Sequence, residues 1–124
     1  MGIQVRFIKE LRVVESLFDE TYEREDIKAS TLEAIKIAAE NGVNRYLVDC
    51  THLAQSRSVL DIYSIGGLYV DLDIPRGSKQ AVILSTNKEN QKNTRFYETV
   101  ARNRGYDVRV FQDRYEALAW LTSD

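Results

Sequence analysis

Cysteine occurs once in the chain, as Cys50. No disulfide can close within the chain, which points to a reducing compartment, and a cytoplasmic location is the expectation. Histidine also occurs once, as His52. A zinc site needs three or four nitrogen or sulfur ligands, more than these two residues offer, so neither a metal nor a cofactor is expected. The only proline is Pro75, and there are no repeats, low-complexity tracts or linkers, so one domain over residues 1–124 is expected. No apolar run approaches ~20 residues, so no transmembrane segment is expected. The opening MGIQVRFIKEL carries charges where a signal peptide needs an apolar core. It begins Met-Gly, but Arg6 stands where a myristoylation motif needs serine or threonine. Positive charge is not in excess either. A formal net charge of −2 and a pI near 5.5 lack the basic footprint of a nucleic-acid binder. The one glycine pair, Gly66-Gly67, makes neither a dinucleotide fingerprint nor a P-loop.

What is present is an ordinary globular balance, 44% apolar and 29% charged. A chain of this length buries roughly two thirds of its unfolded surface and needs no covalent staple. IQVRFI places Ile3, Val5 and Phe7 on one side of a strand. LRVVESLF reads as a second strand, with Leu11, Val13 and Glu15 on one side and Val14, Ser16 and Phe18 on the other. The intervening Lys9-Glu10 is short enough for a hairpin. Helical spacing then links Ile27, Thr31, Ala34, Ile35 and Ala38, with Gly42 as a left-handed stop. NRYLVDC and KQAVILS read as buried strands. Between them, Ser58 to about Asp73 reads as a helix. A further helix is predicted with Phe96, Tyr97, Val100 and Ala101 inward and Gly105 as its stop. YDVRVF is a last strand, alternating Val108 and Val110 against Arg109. Asp113 and Glu116 make a capping-box pattern for a final helix that turns Leu118 and Leu121 inward. The order β-β-α-β-α-β-α-β-α predicts an α/β fold. Its mixed sheet has an antiparallel N-terminal hairpin, parallel later strands and about four flanking helices.

Catalytic chemistry finds little support in the residues. Cys50 and His52 share a side of an extended strand, but no third group is placed to orient them, so Cys50 reads as core and His52 as loop. A phospho-receiver arrangement would use Asp19-Glu20, Asp49 and Ser85-Thr86 at strand ends. No lysine follows the last strand, however, and the opening hairpin is wrong for an all-parallel sheet. Asp61, Asp71 and Asp73 are too spread to converge on a metal. Arg102, Arg104 and Arg109 are an anion-binding candidate diluted by Glu98 and Asp107. Phe111 and Trp120 read as packing at a helix–sheet seam.

The closing GYDVRVFQDRYEALAWL carries a family resemblance, as does YLVDCTHL in the middle. A helix ending RG, a strand ending in Phe and an acidic cap before EALAWL resemble the stage II sporulation protein AA-like proteins. That group is related to STAS domains (sulphate transporter and anti-sigma factor antagonist) and to CRAL-TRIO-type lipid carriers. The resemblance implies a small α/β domain, usually without an assigned activity, and does not imply a catalytic centre. In the anti-sigma antagonists a serine at the start of the helix after the Asp-ended strand is phosphorylated. Counting from Asp49, Ser58 falls near that serine and Ser56 two residues before it. Phosphate there would meet the free amides of a helix N-terminus, and its charge of about −2 would abolish docking onto an acidic or apolar partner surface. QSRSVL departs from the antagonists' Asp-Ser-Ser-Gly-like turn, and Ser58 also suits a plain N-cap role.

The predicted helix from Ser58 carries apolar residues on more than one face, with Gly66-Gly67 in its middle. Leu60, Tyr63, Ile65, Gly66, Gly67 and Tyr69 are therefore the candidate interaction or apolar-ligand face. A twofold homodimer is the first expectation for its cover. An apolar small molecule or lipid, as the CRAL-TRIO resemblance implies, is the alternative. The expected function is a non-enzymatic protein-interaction domain, a homodimer with a regulatory protein partner of the anti-sigma-antagonist kind.

Overall fold

The computed structural model describes residues 2–53 and 77–123. Strands β1 (Ile3–Ile8) and β2 (Val13–Phe18) pair antiparallel, Ile3 opposite Phe18 and Ile8 opposite Val13. Their loop spans four residues, Lys9 to Arg12, rather than the two-residue Lys9-Glu10 turn the sequence suggested, and β2 starts at Val13 rather than Leu11. Neither Lys9 nor Glu10 favours a primed turn. The reversal instead uses Arg12, at φ 55°, with its guanidinium donating to the Asn41 carbonyl at 2.5 Å. Leu11 is left 37% exposed.

Strands β3 (Arg45–Asp49), β4 (Lys79–Ile83) and β5 (Asp107–Phe111) complete a five-stranded sheet in sequence order, parallel from β2 onward. Helix α1 (Arg24–Asn41) follows β2, α2 (Lys88–Asn103) follows β4 and α3 (Arg114–Leu121) follows β5. The described residues hold three helices; the fourth expected helix, from Ser58, lies outside them. Successive parallel strands that step one way across a sheet put right-handed crossovers on one face. Accordingly α1 packs on Val14 through Ala34 and Ala38, and α2 packs on Val82 and Val108 through Tyr97 and Ala101. Val48 touches the α2 cluster and a further cluster made by Phe18, Tyr22, Ile27 and Leu53. The short α3 covers the opposite face, laying Ala117 and Leu121 over Val13, Leu47, Ala81 and Ile83.

The stop and start signals act as local chemistry requires. Gly42 ends α1 at φ 63°, with its amide donating to Ala39 and the Val43 amide to Ala38. Gly105 follows α2 at φ 91°. The Asn87 side chain accepts from the Asn90 amide to start α2, and Asp113 accepts from Glu116 to start α3. Phe96, expected inward, is 41% exposed, and Val100 is only partly covered. The buried stripe of α2 instead runs through Asn90, Thr94, Tyr97 and Ala101, so its core contact is half polar. Apolar identity alone placed the α2 stripe about one residue out of phase.

The β5 edge of the sheet is sealed by α2. The Val110 amide donates to Glu98 Oε2 at 2.9 Å, and Arg102 Nη1 donates to the Val108 carbonyl at 3.4 Å. Two side chains one turn apart thus occupy the outward backbone groups that a second strand would use.

Candidate functional site

A group of charged side chains around a buried glutamate lies beneath α3, toward the strand end that leads into residues 54–76. Glu15 sits in the middle of β2 on the α3 face, opposite Arg6 of β1 and Leu47 of β3. Its side chain is only 3% exposed. Two arginines hold it. Arg6 Nε donates to Glu15 Oε1 at 2.5 Å, and Arg114 Nη1 donates to Glu15 Oε2. Arg114 also reaches Asp49 Oδ2 at a looser 3.4 Å. Two cations and two carboxylates therefore balance. A buried carboxylate without such partners would cost several kcal/mol in lost hydration.

Arg114 opens α3, the end where the helix macrodipole disfavours a cation. The Asp113 cap and Glu116 supply the favoured sign. Arg114 stands there because its guanidinium can join two carboxylates on two strands, a task suited to a planar, multi-donor group.

Asp49 is also engaged on its other oxygen. Oδ1 accepts from the Thr51 amide at 2.9 Å and from Thr51 Oγ1 at 2.6 Å. The same Asp-x-Thr turn closes β2 next door, where Asp19 Oδ1 accepts from the Thr21 amide at 2.7 Å and Thr21 Oγ1 at 2.6 Å. Those bonds hold the exposed Asp19 carboxyl below its ordinary value. DET and DCT thus form matching clasps where two adjacent parallel strands end.

Cys50 follows Asp49 on the opposite face and packs against the clusters beneath both α1 and α2. Burial, helped by the neighbouring Asp49 charge, pushes its thiol up to about 12. A raised thiol value means the unfolded chain loses the proton first as pH rises. Cys50 therefore contributes stability that declines from about pH 9 up to about 12. The thiol is expected to react with iodoacetamide at pH 8 at least a hundredfold more slowly in the native protein than in urea. Intact mass over time checks this, and comparable rates would refute the raised value of this half-buried thiol.

His52 is exposed, beyond the clasp. Asp19 and Asp49 end neighbouring strands, yet each turns onto its own threonine. Ser85 is buried, and its Oγ accepts from the Asn87 amide at 3.2 Å. No group of three or more His, Cys, Asp or Glu among the described residues is placed to hold a metal ion. Of the arginines near Gly105, Arg102 and Arg109 are engaged at separate places. Arg102 serves the β5 edge, while Arg109 lies 5.1 Å from the Trp120 ring centre, as does Lys79. Trp120 packs against Phe111 at 5.7 Å, as read from the sequence. At the other end of the strands, Tyr46, Ser78, Gln80, Tyr106 and Val108 border a cavity of about 20 Å³, room for one water and not for an apolar ligand.

Ser56, Ser58, Leu60, Tyr63, Ile65, Gly66, Gly67 and Tyr69 all lie outside the described residues. The structure describes the base from which they depart: the Asp49 clasp, the quiet thiol and Leu53, to whose carbonyl the buried Asn90 donates at 3.4 Å. Sequence reasoning missed the Glu15–Arg114–Asp49 group. The available signals were an acid at an inward position of β2 and an arginine at the wrong end of a helix. No helix among the described residues is long and apolar enough to cross a membrane. No protein-family model matches the chain, and no curated protein does.

Proposed function

We propose that the chain is a STAS-like, sporulation-protein-AA-like interaction domain, without catalysis of its own, that works as a homodimer with a regulatory protein partner. One observation carries this reading. The strand end that leads into residues 54–76 is closed by its own hydrogen bonds, with both Asp49 oxygens engaged. Asp49 is committed to Thr51 and Arg114, and the adjacent Cys50 thiol is held protonated by burial. A catalytic centre calls for groups poised to gain or lose protons near the working pH. A docking loop calls for firm anchorage at its base. Ser58, nine residues beyond Asp49, is the candidate point of regulation, where phosphate would add about −2 charge.

Native mass spectrometry of the purified chain tests the reading. The expected species is a dimer at twice the 14.3 kDa subunit mass. A monomer carrying a co-purified apolar molecule would transfer the assignment to the ligand-binding alternative. A bare monomer across the micromolar range would remove the homodimer.

A further inference from the structure

We propose that the outer edge of β1 is the surface on which two copies join, as an antiparallel strand pair with Val5 on the twofold axis. This rests on the homodimer reading above and places the contact on β1 instead of the face from Leu60 to Tyr69 that the sequence offered. The parity of β1 follows from one hydrogen bond. The Asp19 amide donates to the Gly2 carbonyl at 2.8 Å, and these residues continue the register in which Ile3 faces Phe18. Gly2–Asp19 is therefore a hydrogen-bonded pair, and such pairs alternate along an antiparallel ladder. Gln4, Arg6 and Ile8 thus direct their backbone groups to β2, while Ile3, Val5 and Phe7 direct theirs outward.

The two sheet edges are treated differently. Glu98 and Arg102 occupy the outward groups of β5, whereas no side chain among the described residues does so for β1. Natural edge strands are commonly guarded by proline, a bulge or an outward charge. β1 has neither proline nor bulge, and its one charge, Arg6, is drawn back onto Glu15.

The edge selects its own register. With Val5 facing Val5 of a second copy, every outward group of Ile3, Val5 and Phe7 finds a partner. Gln4 then stands beside Arg6 of the second copy. Because Arg6 meets Glu15 through Nε, its two Nη groups are left for the Gln4 carbonyl oxygen. Centring on Arg6 would oppose two arginines, and centring on Gln4 would leave Phe7 unpaired. The product is one continuous sheet through both copies, with α1 of each on the same face.

Sedimentation velocity over a concentration series, with amide hydrogen exchange, tests the proposal on the full chain. The wild type is expected to dimerise, with the Ile3, Val5 and Phe7 amides gaining protection as concentration rises. Val5→Pro removes an outward amide that β2 does not use, so it should weaken the dimer at least tenfold with an unchanged circular dichroism spectrum. Gln4→Lys, at an exposed position, should act in the same direction by facing Arg6 of the second copy, and it decides the matter if Val5→Pro fails to fold. A dimer indifferent to Gln4→Lys, with no added protection at Ile3, Val5 and Phe7, would overturn the β1 interface while leaving the homodimer intact. A monomer at every concentration would overturn both.

Discussion

Replacing Arg114 with alanine is expected to lower the unfolding free energy by about 2–3 kcal/mol, measured by urea denaturation at pH 7. The loss comes from the groups left behind. Glu15 stays buried in β2 with Arg6 as its remaining partner, and Asp49 loses its contact to α3. The figure falls below the roughly 3–5 kcal/mol of a fully enclosed pair because Arg114 is 40% exposed and water can reach the gap. The group is expected to serve placement more than stability. Glu15→Met combined with Arg114→Met should recover most of the loss, since the buried Glu15 charge is gone, the space is filled and Asp49 keeps its bonds to Thr51. Arg6, largely exposed, then returns to water at little cost. An Arg114→Ala midpoint within about 0.5 kcal/mol of wild type would show that the guanidinium holds nothing.

Leu47→Ala is expected to cost about 3–4 kcal/mol in the same measurement. Leu47 is fully buried in the central strand β3, beneath α3. Its neighbours cannot close the gap. Across β4 lies Ala81, above it lies Ala117, and across β2 lies the ion-paired Glu15. A cavity that cannot collapse puts the cost in the upper part of the usual range. Leu32→Ala, at a 44% exposed position on α1, should cost less than about 1 kcal/mol and serves as the control. Equal costs for the two leucines would contradict the assignment of Leu47 to the centre of the core.

Several features were legible in the residues because their causes are short-range. Period-two alternation marked β1 and β5. Glycine at 42 and 105 supplied left-handed backbone after two helices, and Asp113 capped the third. The antiparallel hairpin followed by parallel strands was also readable, since a two-strand start without a helix between permits little else. The hairpin loop was read two residues short because a turn built on Arg12 carries no glycine, asparagine or aspartate signal. The α2 stripe was misphased at Phe96 because its buried positions include Asn90 and Thr94. Those residues lie inward through hydrogen bonds: Asn90 donates to the Leu53 carbonyl, and Thr94 to the Asn90 carbonyl at 2.8 Å.

The sequence alone determined the order of the described elements, most of their ends and the alternation of faces along the strands. Each of these follows from backbone preferences and spacing within a few residues. Only the tertiary structure decided which charges meet and which sheet edge is closed. Glu15 and Arg114 are 99 positions apart, and Glu98 lies 12 from the amide it caps. Such pairings depend on strand register and on the phase at which each helix crosses the sheet. A one-residue slip would turn Glu15 to the other face and separate every partner it has.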